Sequence, residues 1–189
     1  MTSHEPAGYS CPFCRIAQGG EDTRMIVWRD TLSITFLALH QPPNNRGSLL
    51  VCPLQHFENL YTLPEPIGAH LFGVTQRLAI ALKTALRCDG ISTRQHNEPA
   101  GNQDVWHYHV HVVPRFESDG FYAARGVVMP LDDRAEYAER FARRWATVRT
   151  GPVSCRLCHA AMGWVNEQIG VRPCHGVYLS GSAAREDRS

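Results

Sequence analysis

The apolar positions of this chain change period along its length, and the changes mark its elements. Residues 25–30 (MIVWRD) and 32–39 (LSITFLAL) are short apolar runs, rich in β-branched and aromatic side chains. A polar turn at Arg29-Asp30-Thr31 separates them, which predicts a β-hairpin. Residues 41–47 (QPPNNRG) carry two prolines and a glycine and cannot continue a strand. Residues 47–53 (GSLLVCP) resume as a third strand. The period then lengthens. Ile67, Leu71, Val74, Leu78, Leu82 and Ala85 recur every three or four residues and form the stripe of a long helix. Thr62-Leu63-Pro64-Glu65 has capping-box spacing ahead of it, and Gly90, after Asp89, suits a left-handed cap at its end. Residues 91–97 (ISTRQHN) and 105–114 (VWHYHVHVVP) predict two more strands around a polar turn, 97–104. Asp133 is placed to cap a second helix with Tyr137, Phe141, Trp145 and Val148 on one face.

This order of a small helix, three strands, a long helix, two strands and a helix predicts an α+β fold. Its sheet is an antiparallel meander of about five strands with one long helical crossover. Residues 1–10 read as a flexible lead, and residues 11–20 (CPFCRIAQGG) as a knuckle and short helix stopped by Gly19-Gly20. Beyond about residue 150 no periodicity persists, and the last residues have a disordered composition. The expected organisation is one domain over 8–148 and a cysteine-containing extension over 149–189.

Composition narrows the class. A chain of 189 residues supports one well-filled core. The formal net charge of +1 supplies no field that would draw the chain to nucleic acid or a membrane surface. Lys83 is the sole lysine, a bias that reflects genome composition before function. The chain has neither a spanning-length apolar run nor a signal-peptide pattern, so a cytoplasmic location is expected. In that compartment seven cysteines argue for metal ligands or free thiols before disulfides. Five fall in two clusters, Cys11/Cys14 and Cys155/Cys158/Cys174; Cys52, in an apolar run, reads as a buried small hydrophobe.

The chemistry concentrates in His107, His109 and His111. On a strand, alternate residues share a face, and neighbouring imidazoles start about 6–7 Å apart. Such a row can bind a metal, hold an anion or attack a phosphorus or carbonyl centre. No carboxylate lies on the same face to complete a purely metal site. Neutral imidazole is a competent nucleophile near pH 7. The turn Pro99-Ala100-Gly101-Asn102-Gln103 lets backbone N–H groups approach an anion, and Asn97 and Gln103 add neutral amides. Neither a P-loop nor a dinucleotide-binding glycine motif is present.

Asn97, Gly101, Gln103-Asp104-Val105, the run from His107 to Val113 and Pro114-Arg115 resemble the signature of the histidine triad (HIT) family. The resemblance extends back through residues 47–56, ending in His56, and includes Cys11-Pro12-Phe13-Cys14. It covers residues 8–148, about three quarters of the chain. It implies a nucleotide hydrolase or transferase acting at the α-phosphorus of a nucleoside polyphosphate, dinucleoside polyphosphate or phosphoramidate. His109 would be the nucleophile and form a nucleotidyl-histidine. His111 would steady the phosphate; Gln103 and the backbone of Asp104 and Val105 would complete the anion pocket; Asn97 would reach ribose or phosphate. Ile16, Phe36 and Leu37 would line the base of a purine nucleotide. The family's ribose-binding aspartate is replaced by Ala38, with His40 the nearest substitute. Asp104 stands where some members carry a serine or threonine.

Cys11 and Cys14 have the gap of a zinc knuckle. The resemblance implies that His56 and His107 complete a structural, Cys2His2 zinc site and that two subunits join their sheets in a homodimer. Cys155-x-x-Cys158-His159 matches a haem-attachment spacing that needs export, and Cys155, Cys158 and Cys174 with His159 or His175 offer a second zinc site. Two rival functions remain. One is a nucleotide-binding regulatory module with little turnover; the other is an adenylate-removing DNA repair enzyme, which the near-neutral charge disfavours.

Overall fold

The computed structural model of the chain describes residues 2–150, with side chains as far as residue 145. The proposed extension from residue 151 on, with its cysteines and histidines, lies outside the described residues, as does the side chain of Val148.

After a short helix, α1 (Pro12–Ala17), the predicted hairpin is β1 (Ile26–Arg29) and β2 (Ser33–Leu37). Asp30 makes the turn: its Oδ1 accepts from the Leu32 and Ser33 N–H groups. The third predicted strand is β4 (Leu49–Pro53), paired along its length with β2. After the long helix α2 (Glu65–Leu86), β5 (Gly90–Gln95) and β6 (Val110–Arg115) complete a five-stranded sheet of order β1-β2-β4-β6-β5, antiparallel at every junction. The α+β expectation holds. A two-residue ribbon that the sequence pattern missed joins β3 (His40–Gln41) to β7 (Val127–Val128).

β2 and β4 are buried along their whole length, so the core continues on both sides of the sheet centre. Leu71, Val74, Leu78 and Leu82 of α2 join Phe141 and Trp145 of α3 (Leu131–Thr150) in that core. Gly47 is needed where β4 begins: its φ is +100°, and a Cβ there would meet the Phe141 ring at 2.9 Å. Among the described residues no helix is long and apolar enough to cross a membrane.

The element ends depart from the sequence signals. Thr62 does not cap α2; it closes a separate turn at Leu60–Thr62, donating to Asn59 O, while Pro64 precedes the first helical residue. Gly90 does not end the helix. Arg87 takes the left-handed conformation, and Gly90 already belongs to β5. Asp133 is not a cap but lies with Asp132 in the first turn of α3, where carboxylates oppose the positive end of the helix dipole. The N-terminal lead is fastened: Ser3 Oγ and His4 N donate to the Glu58 carboxylate.

The largest departure concerns the histidines. β6 begins only at Val110, so His107 and His109 precede it in a bent, irregular segment. The three imidazoles do not form one strand face.

Candidate active site and metal cluster

The bend between Val105 and His109 separates two chemical environments. Gln103 braces it. Its amide Nε2 donates to Glu58 O at 2.6 Å and to Val105 O at 3.0 Å, and its Oε1 accepts from Glu98 N. Both N–H bonds are used, so Gln103 has none left for a phosphate and acts as a positioning residue. Asn97 is likewise engaged: its Oδ1 accepts from Leu60 N and its Nδ2 donates to Gln95 Oε1. Both residues thus hold the loops that flank the cleft, and the Asn97 amide, with one donated bond, keeps a second Nδ2–H.

On one side of the bend, Cys11, Cys14, His56 and His107 bring one ligand atom each to within 4.8 Å of one another. His107 Nδ1 lies 3.3 Å from Cys11 Sγ and 3.5 Å from Cys14 Sγ, and His56 Nδ1 lies 3.3 Å from Cys14 Sγ. Sulfur and nitrogen on a tetrahedral zinc stand about 3.6 Å apart, given its usual bond lengths. The outer ring nitrogens agree. His107 Nε2 must donate to Pro53 O at 3.0 Å, because a carbonyl only accepts, which leaves the Nδ1 lone pair facing the thiols. His56 Nε2 meets the Glu5 carboxylate at 2.7 Å. A carbonyl and a carboxylate behind two histidines are the usual supports of metal-bound imidazoles. Burial, with the Cys11 thiol beside it, pushes the Cys14 thiol up to about 12, so without a cation Cys14 keeps its proton. The four residues fit a closed, structural Cys2His2 centre.

On the other side, His109 is 3 % exposed and turns into a cavity of about 500 Å³ lined by Phe13, Ile16, Phe36, Leu37, Val105 and His111 among others. His109 Nδ1 donates to His107 O at 2.7 Å, so the lone pair is on Nε2. Burial lowers its pKa, and burial with the neighbouring imidazoles lowers that of His111 to about 3. Both rings are neutral at pH 7. Their centroids are 4.9 Å apart, closer than two strand residues would set them. Phe13 meets His107 and His109 edge-on at 5.9 and 5.1 Å and forms the wall between the two environments. Gln103, Trp106 and His107 use their backbone N–H groups, whereas those of Asp104 and Val105 have no partner among the described residues. A polar cavity of about 220 Å³ adjoins across His40, Asp104 and His111 and is also lined by Arg94 and His96.

Glu5, Phe13, Tyr9 (whose hydroxyl accepts from Trp106 N) and Arg134 were not found from the sequence. Phe13 sits inside the Cys11–Cys14 knuckle, where only the cysteines carried a signal, and the other three come from segments distant in sequence and belong to no local motif.

An antiparallel sheet of this order, with a paired histidine cleft and a Cys2His2 cluster behind it, defines a histidine triad protein. The HIT domain model matches residues 20–118, and the chain belongs to that family. It is similar to the Zn-bound histidine triad family protein from Mycobacterium smegmatis, with 30% identity and a TM-score of 0.65, covering 75% of this chain and 96% of that one. It is 31% identical over 115 residues to Protein hit of Bacillus subtilis, covering 60% of this chain and 77% of that protein. It is also 32% identical over 109 residues to AP-4-A phosphorylase of Mycobacterium tuberculosis, covering 57% of this chain and 55% of that protein.

Proposed function

We propose that the chain is a nucleotide hydrolase acting at an α-phosphorus through a nucleotidyl-His109 intermediate. The single observation that carries this is the His109 tautomer: the Nδ1–H bond to His107 O aims the Nε2 lone pair away from the backbone. Nε2 attacks phosphorus; the P–N bond forms as the P–O bond to the leaving group breaks, and the electron pair leaves with that oxygen. Water then attacks the same phosphorus, the P–N bond breaks, and neutral imidazole is restored with release of a nucleoside monophosphate. The free N–H groups of Asp104 and Val105 stabilise the equatorial oxygens, and neutral His111 contributes a further N–H donor. Phe36 and Leu37 hold a purine. The substrate class is a nucleoside or dinucleoside polyphosphate, consistent with the similarity to AP-4-A phosphorylase.

Zinc is the natural occupant of Cys11, Cys14, His56 and His107, where it would supply cross-linking rather than Lewis acidity, since four protein ligands close it. The catalytic domain spans 8–148; a homodimer and a cytoplasmic location complete the reading. A regulatory module with little turnover is favoured by one observation, Ala38, which provides no carboxylate for ribose.

Turnover of a dinucleoside polyphosphate, with mass spectrometry of an acid-labile adduct on His109, tests the proposal. Wild type should release a nucleoside monophosphate and His109→Ala should not. Full activity in His109→Ala excludes the nucleophile assignment; binding without turnover in wild type selects the regulatory module.

A further inference from the structure

Beyond His111 the cleft ends in a cation whose donors the fold leaves unused. Cross-strand partners share a face of the sheet, and one such row runs Phe36, Leu50, His111, Arg94 across β2, β4, β6 and β5. Phe36 and Leu50 line the cavity of His109, His111 borders both cavities, and Arg94 lines only the polar one. The row is therefore apolar at one end and cationic at the other, with the imidazole between them. Neighbouring strands stand about 5 Å apart, so Arg94 is one spacing beyond His111 and about 15 Å from Phe36.

Two arginines stack on the same rings and differ in what their N–H groups meet. The Arg115 guanidinium lies 4.3 Å from the Phe121 centroid and 4.9 Å from that of Tyr122. It is fully employed: Nε and Nη2 donate to the Asp119 carboxylate at 2.7 and 2.9 Å, and Nη1 donates to Ser92 Oγ. Arg94 lies 4.0 and 5.1 Å from the same two centroids, yet it makes no hydrogen bond and no ion pair among the described residues. Stacking occupies the face of a guanidinium and leaves its edge free to donate. Two parallel N–H groups on that edge match the oxygens of a phosphate. His96 stands beside it, its ring 5.8 Å from that of His111 and held by an Nδ1–H bond to Gly101 O. Asp104 is the one carboxylate on this cavity. It is exposed, and its charge acts on His109, whereas that of Arg94 acts on His111.

We infer that Arg94 is a leaving-group subsite that holds the phosphate chain departing from His109, so that the preferred substrates are nucleotides whose α-phosphorus carries at least one further phosphate. This rests on the nucleotide reading of the His109 cavity and deepens it by naming the leaving group. A base on Phe36 and an α-phosphate at His109 and His111 send the next phosphate along the row, away from the base and toward Arg94. As the P–N bond to His109 forms, the bridging P–O bond breaks, the electron pair leaves with that oxygen, and the departing phosphate gains a negative charge. The guanidinium meets that charge where it develops. A nucleoside phosphoramidate or a simple ester presents an amine or an alcohol there and gains nothing from Arg94.

Turnover of diadenosine tetraphosphate and of adenosine 5′-phosphoramidate by the full chain tests it, read as the ratio of the two kcat/KM values. Arg94→Met keeps an unbranched stem against Phe121 and removes the donors. It should lower that ratio by about tenfold or more, the effect of losing one charged hydrogen-bonded pair. Arg94→Lys keeps the charge without the fork and should lower the ratio by about threefold, which carries the test if the methionine variant does not fold. Inorganic tripolyphosphate should inhibit wild type competitively, with an inhibition constant that rises about tenfold in Arg94→Met. A ratio and an inhibition constant that neither variant changes overturn the subsite and leave the nucleotide reading intact, as does cleavage of the phosphoramidate alone by wild type. Failure of wild type to cleave either substrate overturns both.

Discussion

His107 and His109 are two residues apart and both buried, yet they belong to opposite kinds of site. Around His107 every polar atom is committed: Nδ1 to the thiols, Nε2 to Pro53 O, and the partner His56 to Glu5. Around His109 several groups are held in reserve, namely its own Nε2, the Asp104 and Val105 N–H groups and the Arg134 Nε. A saturated cluster stabilises the fold and is chemically closed. An unsaturated one costs stability and is where a ligand gains most from binding. The bend braced by Gln103 allows two identical side chains to serve these two ends.

The comparison is broken most severely at His109. His109→Ala should lower hydrolysis by on the order of 10⁴-fold or more, since neighbouring groups rarely replace a nucleophile. Its melting temperature should fall less than that of a metal-ligand variant, because the ring makes a single hydrogen bond to the chain and, beyond its packing on Phe13 and His111, borders the cavity. A large drop in melting temperature with retained turnover would reverse the roles assigned to the two histidines.

Cys14→Ser should show the converse. Loss of one thiolate from a closed centre removes about one equivalent of metal and on the order of 4 kcal/mol of stability, a melting shift of about 8–16 °C for a chain of this size. Activity per folded molecule should fall much less than in His109→Ala. An unchanged metal content by elemental analysis would remove the cluster from the account.

How far the sequence anticipated this division follows from the range of each signal. Strands β1, β2, β4 and β5 and helix α2 were legible because period and turn chemistry are local. The ends of α2 were not, because Thr62 and Gly90 carry valid cap signals that the adjoining Pro64 and Arg87 override. The His40–Gln41 and Val127–Val128 ribbon is two residues long and pairs segments far apart in the chain, so no periodicity exists to read. The Cys2His2 set was legible through family resemblance, and the described residues bring it together. The split of the histidine row was not, because alternation predicts a strand while the Gln103 bonds impose a bend. Arg134 was invisible: one arginine among many acquires meaning only when its neighbours are known.

Acid sharpens the comparison on the cavity side. Burial lowers the His111 pKa to about 3, whereas an unfolded histidine titrates near 6.5. The unfolded chain thus binds the proton first as pH falls. The contribution of His111 to stability is intact above about pH 6.5 and is lost progressively from there toward pH 3, at up to about 1.4 kcal/mol per pH unit before solvent screening. His111→Asn should flatten part of the decline in melting temperature between pH 6.5 and 4, with metal content at pH 7 unchanged. A variant whose pH–stability curve overlays that of wild type would show that His111 is not the group being protonated.

The smallest expected effect tests the brace itself. Gln103→Met keeps the volume but strips the acceptor from Glu98 N and the donors from Glu58 O and Val105 O. Unpaired groups of this kind cost about 1–3 kcal/mol together when water reaches them only in part. The Asp104 and Val105 N–H groups then lose their fixed direction, and a displacement of a fraction of an ångström in preorganised donors slows the chemical step about tenfold. KM should change less than kcat, because the purine contacts proposed for Phe36 and Leu37 do not depend on the bend. Gln103→Glu restores the acceptor for Glu98 N but sets a carboxylate against two carbonyl oxygens, so it should rescue neither rate nor stability. If instead both variants raise KM and leave kcat alone, Gln103 contacts substrate directly, and the bend is maintained by the metal cluster without it.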